Sequence, residues 1–158
     1  MRRLLFQYDD GGRAAAGYRG RARDCATRAL AIATGRDYEQ IYRGLAMEAA
    51  AESNALPRNH PRTGLRKNTV KEYLRGIGWR WTPTMQIGSG CKVHLREGEL
   101  PAGRLIVAVS KHLCAVIDGV IHDTHDCSRG ARRCVYGYWT LPWAATGPLG
   151  RSTCRITR

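Results

Sequence analysis

Several familiar patterns are missing from this chain. No run approaches the ~20 consecutive apolar residues a membrane-spanning helix needs, which excludes an integral helical membrane protein. The first six residues, MRRLLF, begin like a secretory signal, but their apolar run is three residues long. Gln7, Asp9 and Asp10 follow at once, so the expectation is a cytoplasmic protein with no export signal. No internal repeat runs through it, which excludes a fibrous protein, and 158 residues favour one domain over a multi-domain enzyme. No Cys-x2-Cys knuckle occurs, so a structural zinc finger has little support. Acid is scarce: 13 Asp and Glu face 26 Lys and Arg, a formal charge of +13.

Such a charge invites a nucleic-acid reading, because Lys and Arg release counterions when they neutralise phosphates. The densest basic clusters lie at 19–23, 58–67 and 129–133, scattered over the chain. None carries an RNP-type aromatic motif, a basic heptad helix or a helix-turn-helix signature. The charge therefore reads as a solvated surface with incidental nucleic-acid affinity. A catalytically inactive, basic nucleic-acid-binding accessory protein remains the alternative function. The six cysteines, Cys25, Cys91, Cys114, Cys127, Cys134 and Cys154, read mostly as small buried or surface thiols. A zinc-stabilised interaction domain using Cys91, His94, His122, His125 and Cys127 is the weaker alternative.

The chain divides into a Gly/Arg-rich lead-in (1–23), a mainly helical part (24–78), a strand-rich part (79–141) and a tail (142–158). Asp24 is a good N-cap for a helix over 25–34, and Gly35 supplies its stop. A second helix starts after Asp37, with Gln40 placed to complete a capping box, and lays Tyr38, Ile41, Tyr42, Leu45 and Ala49 on one stripe. Thr69 and Glu72 predict a capped third helix over 69–77. Strands are expected at 79–82, 85–87, 105–109, 113–117, 120–123 and 134–141. Asp118-Gly119 joins two β-rich runs as a type I′ hairpin. Helices followed by an antiparallel sheet predict an α+β fold. Trp79, Trp81, Met85 and Ile87 are candidates to line a substrate groove.

Three residues carry the chemistry. Cys25 falls in the first turn of a helix, where unpaired amides and the dipole favour a thiolate. The expected hairpin register pairs Ala115 with His122 and Cys114 with Asp123, putting His112, Cys114 and Asp123 on one face. His112 and Asp123 are then diagonal neighbours, roughly 7–8 Å apart in backbone and within side-chain reach. A carboxylate there fixes the tautomer and orientation of the imidazole. His122 points to the other face. Thiol, imidazole and acid in this order are what a cysteine hydrolase needs.

The segments Asp24-Cys25-Ala-Thr-Arg-Ala-Leu, Ser110-Lys-His112-Leu-Cys-Ala-Val and Val120-Ile-His-Asp123-Thr resemble the papain-like cysteine peptidase superfamily. The likeness is to its small bacterial and phage members, akin to the bacteriocin-processing C39-like peptidases. It spans residues 20–140 as order and topology, with short local matches. The resemblance implies helices packed on an antiparallel β-sheet, with Cys25 as nucleophile, His112 as general base and acid, and Asp123 as the orienting residue. It also implies a peptide or protein substrate and activity with a reduced thiol, no metal and no cofactor. The family places an oxyanion-hole Gln a few residues before the Cys, where this chain has Arg19-Gly-Arg-Ala-Arg-Asp24. The nearest upstream glutamine is Gln7, which could fold back beside Cys25; the backbone N–H of Cys25 with another donor is the other option. That departure leaves open a slow enzyme, an acyltransferase or a pseudoenzyme.

Overall fold

The structure, a computed structural model, describes residues 1–52 and 59–142. Its elements run β1 (Leu5–Tyr8), α1 (Cys25–Thr34), α2 (Tyr38–Ala51), α3 (Lys67–Gly76), β2 (Arg80–Pro83), β3 (Arg104–Val109), β4 (His112–Ile117), β5 (Val120–Asp123) and β6 (Val135–Thr140). The strands form one sheet in the order β1-β5-β4-β3-β6-β2. Three helices pack on it, so the α+β expectation holds. The all-antiparallel sheet does not, because β1 joins β5 in parallel.

That strand lies inside the supposed lead-in. Its four residues are all exposed, with neither an alternating pattern nor a buried run to announce a strand. It exists because β5 offers an unpaired edge: Leu5 aligns with Val120 and Tyr8 with Asp123. Residues 85–87, read as a strand, form none, and Ile87 is fully exposed.

Both faces of the central strands are buried, which is why β3 reads as a continuous apolar run. On one face, Ile106, Ala115 and Trp139 meet Ala26, Ala29, Leu30 and Ala33 of α1, with Ile41, Leu45, Val70 and Leu74 behind them. On the other, Leu105, Val107, Val109, Cys114, Val116 and Ile121 are covered by loop residues, among them Leu95, Val93 and Leu100. The alanines of α1 let it lie close on β4, so the start of the helix comes up beside the start of the strand.

A disulfide joins Cys91 to Cys134, which corrects the reading of these two as thiols and removes Cys91 from a zinc set. It fastens the covering loop to the start of β6. Around it, Leu95 N–H donates to the Arg133 carbonyl and Val135 N–H to the Val93 carbonyl, each at 2.8 Å. Cys154 lies outside the described residues.

The helix ends differ from their expected caps. None of Asp24, Asp37 or Arg66 makes a side-chain capping bond. The third helix starts at Lys67, and Thr69, expected to cap it, is buried inside it with its Oγ1 bonded to Asn59. At the other end of α1, Gly35 takes the left-handed conformation and returns its N–H to Ala31, as Gly at C′ commonly does. No helix among the described residues is long and apolar enough to cross a membrane.

Candidate active site

The hairpin has the register read from the sequence: Ala115 pairs with His122, Val116 with Ile121 and Ile117 with Val120. Asp118 and Gly119 both have positive φ, the type I′ requirement. A second tight turn, Ser110-Lys111, connects β3 to β4, since Val109 pairs with His112. Lys111 is itself left-handed, at φ 57°. Next to it β6 carries a bulge: Ala108 opposes Gly137 while Val109 opposes Val135, leaving Tyr136 over. Such irregularities re-aim a strand end, and this one lies at the end of β3 that turns into His112 at the start of β4.

His112 and Asp123 meet across β4 and β5. His112 Nε2 lies 2.5 Å from Asp123 Oδ2, and with its proton in place the ring donates to the carboxylate. The other oxygen, Oδ1, accepts the Thr124 N–H at 2.7 Å. Cys25 completes the row: its half-buried thiol lies close enough to the His112 ring and the Leu113 N–H for both to lower its pKa. The structure thus brings together the three residues singled out as thiol, imidazole and acid. His122 faces away, with Nδ1 3.5 Å from Asp9.

The electrostatics follow from these contacts. Burial pushes the Cys25 thiol up, but hydrogen bonds from His112 and Leu113, with the charges of His112 and Arg28, take it below the ordinary thiol range. Burial pulls His112 down, yet its bonds to Asp123, Cys127 and Cys25 and the Asp123 charge raise it to about 11. Asp123 is pushed up by burial and pulled further down by His112, the Thr124 N–H and Arg28. Each shift favours a thiolate beside an imidazolium.

Two contributors were not legible as site residues. Arg28, one turn into α1, places one guanidinium nitrogen on Asp24 and the other 3.6 Å from Asp123 Oδ1. The only sequence signal is an arginine four residues after an aspartate in an otherwise apolar helix. Cys127 is buried in the second core with its thiol against both His112 and Cys114. Of that pair Cys127 is held the more acidic by the neighbouring Cys114 thiol and the charge of His112, while Cys114 is pushed well up.

Asp24, expected as a cap, spends its buried carboxylate elsewhere: on Arg28, on Arg13 at 3.1 Å and on the Tyr38 hydroxyl, which donates at 2.7 Å. With no side-chain cap, the first-turn amides of α1, those of Cys25, Ala26 and Thr27, have no intrahelical acceptor. Gln7 stands exposed on β1, aligned with His122, and no hydrogen bond joins it to Cys25. The tryptophans read as groove residues are also elsewhere. Trp79 is buried in the helix-side core, and Trp81 packs on Trp139 at the far edge of the sheet, with β6 and β3 between β2 and β4. Of the zinc alternative's residues, only His125 and Cys127 stand at the His112 ring.

No protein-family model, no curated protein and no solved structure matches this chain.

Proposed function

We propose that this protein is a cysteine hydrolase of papain-like build that cleaves an amide or peptide bond through a thioester on Cys25. The supporting observation is the 2.5 Å Nε2–Oδ2 bond that fixes the His112 ring on Asp123, with the Cys25 thiol near enough to that ring to have its pKa lowered by it. The Cys25 thiolate attacks the carbonyl carbon, the S–C bond forms and the carbonyl π electrons move to oxygen. That oxyanion is received by the first-turn amides of α1, where unpaired N–H groups and the dipole favour negative charge. Collapse breaks the C–N bond, and the leaving nitrogen takes the proton held by His112. Water then attacks the thioester, His112 accepts its proton, the S–C bond breaks, and the acid product leaves Cys25 as a thiolate beside the protonated ring. Asp123 holds the ring in register throughout and stays ionised. In this reading the backbone of α1 supplies what the missing upstream Gln does in the papain-like pattern, and Gln7 has no part.

The test is covalent labelling with a peptidyl electrophile, such as an acyloxymethyl ketone carrying a short peptide. The expected result is one adduct per chain, on Cys25, abolished by Cys25→Ser and slowed at least a hundredfold by His112→Ala. Labelling of Cys114 or Cys127 in preference, or an unchanged rate in His112→Ala, overturns the reading.

A further inference from the structure

We propose that His112, Asp123 and His125 form a binding site for a borderline divalent transition-metal ion, with Zn2+ as the fitting example. One ligand atom from each of the three lies within 4.8 Å of the other two. The two imidazole rings are tilted together with centroids 5.0 Å apart. Zinc bonds of ~2.0–2.2 Å to nitrogen and oxygen put neighbouring ligand atoms roughly 3.3 Å apart, so modest rotations of two rings seat the ion. Two imidazoles and a carboxylate suit zinc; magnesium and calcium prefer oxygen donors throughout.

The surroundings favour an open three-ligand centre. Asp123 is buried, His112 half-buried and His125 exposed, so the fourth position faces solvent. Asp123 is fixed from behind: Oδ1 accepts the Thr124 N–H at 2.7 Å, with Thr124 Oγ1 at 3.5 Å and Arg28 at 3.6 Å. Oδ2 is left for the imidazole side. Arg28 opposes a cation here, but its other terminal nitrogen is committed to Asp24. His125 stands two residues beyond Asp123 and the hydrolytic chemistry does not use it, so it contributes a ligand without belonging to the triad.

The ion takes the place of the proton that His112 and Asp123 share. Metal occupancy and the oriented imidazole of the proposed hydrolase therefore exclude each other. That exclusion rests on the hydrolase reading; the binding does not.

The experiment is calorimetric titration of the chelator-stripped full chain with ZnCl2, and with MgCl2 as the contrast. Wild type and Cys25→Ser are expected to bind one Zn2+ per chain with affinities within threefold, and to give no saturable Mg2+ binding. His125→Ala, an exposed substitution outside the triad, is expected to weaken Zn2+ at least tenfold. No saturable Zn2+ binding by wild type overturns the proposal. So does loss of binding in Cys25→Ser with His125→Ala unchanged, which puts the ion on the thiols. Failure of peptidyl labelling at Cys25, with the zinc pattern as expected, removes the hydrolase reading and leaves the metal site standing.

Discussion

Arg28 reaches from the helix that begins with Cys25 to within 3.6 Å of Asp123, the carboxylate that holds His112. One guanidinium, with its other arm on the buried Asp24, ties the thiol's helix to the strand bearing the acid. It also adds positive charge beside both Cys25 and Asp123.

Replacing Arg28 with Ala removes one of two cationic partners from each buried carboxylate, with Arg13 left on Asp24 and His112 on Asp123, a change that typically costs ~1.5–3 kcal/mol. Urea denaturation of Arg28→Ala should show a loss of that order, and Arg28→Lys should recover only part of it, since one ammonium cannot span both carboxylates. The folded variant at pH 7 should also react more slowly at Cys25. An unchanged reactivity there removes Arg28 from the site and leaves it a structural residue.

The elements positioning the site were readable to different degrees. Asp118-Gly119 has one strong local solution, so the hairpin register and the His112–Asp123 meeting followed from alternation alone. The Ala-rich run after Asp24 likewise gave α1, and with it the place of Cys25. Strand β1 was hidden because its side chains are exposed and its partner is 115 residues away, so no local pattern signals it. The cap of α1 differs for a related reason: Asp24 satisfies the local N-cap pattern, but Arg13, Arg28 and Tyr38 converge on it in the fold and claim its oxygens. Trp79 and Trp81 pointed to a groove on aromatic character alone; they do line a cleft with Trp139, but on the β2 side of the sheet and not beside Cys25, with Trp79 largely buried in the helix-side core.

The pH dependence of stability follows from the same pair. His112 is raised to about 11 in the folded chain, above its unfolded value of ~6.5. Its stabilisation is fully present below pH ~6.5 and declines as pH rises through about 11. Asp123 is lowered, so its stabilisation is present above pH ~4 and is lost as pH falls through its folded value. From this pair alone, metal-free protein is most stable between about pH 4 and 6.5. The lowered Cys25 and Cys127 thiols add stability over the same rise in pH, so the pair is read in Cys25→Ser/Cys127→Ser, where denaturation midpoints should fall from pH 5.5 to 9.5 and flatten when His112→Ala is added.

The Cys91–Cys134 bond spans 43 residues and fastens the loop that covers the second core. Chain-entropy arguments give a loop of this size about 4 kcal/mol. The Cys91→Ser/Cys134→Ser double variant should lose roughly that much in urea denaturation. Its Cys25 reactivity should hold, because β4, β5 and α1 are positioned by their own pairings. A matching loss of reactivity would mean that the loop shapes the site.

The most direct measurement is the rate of iodoacetamide alkylation at Cys25 against pH, read peptide by peptide in wild type and His112→Ala. A thiolate held by an imidazolium should reach half its maximal rate at a pH below that of an ordinary thiol, ~8.5. Cys25 should then outpace Cys114 and Cys127 near neutrality, and His112→Ala should shift the profile upward and slow the reaction at least tenfold at pH 6.5. Coinciding profiles for the two proteins, both rising near pH 8.5, would contradict the account.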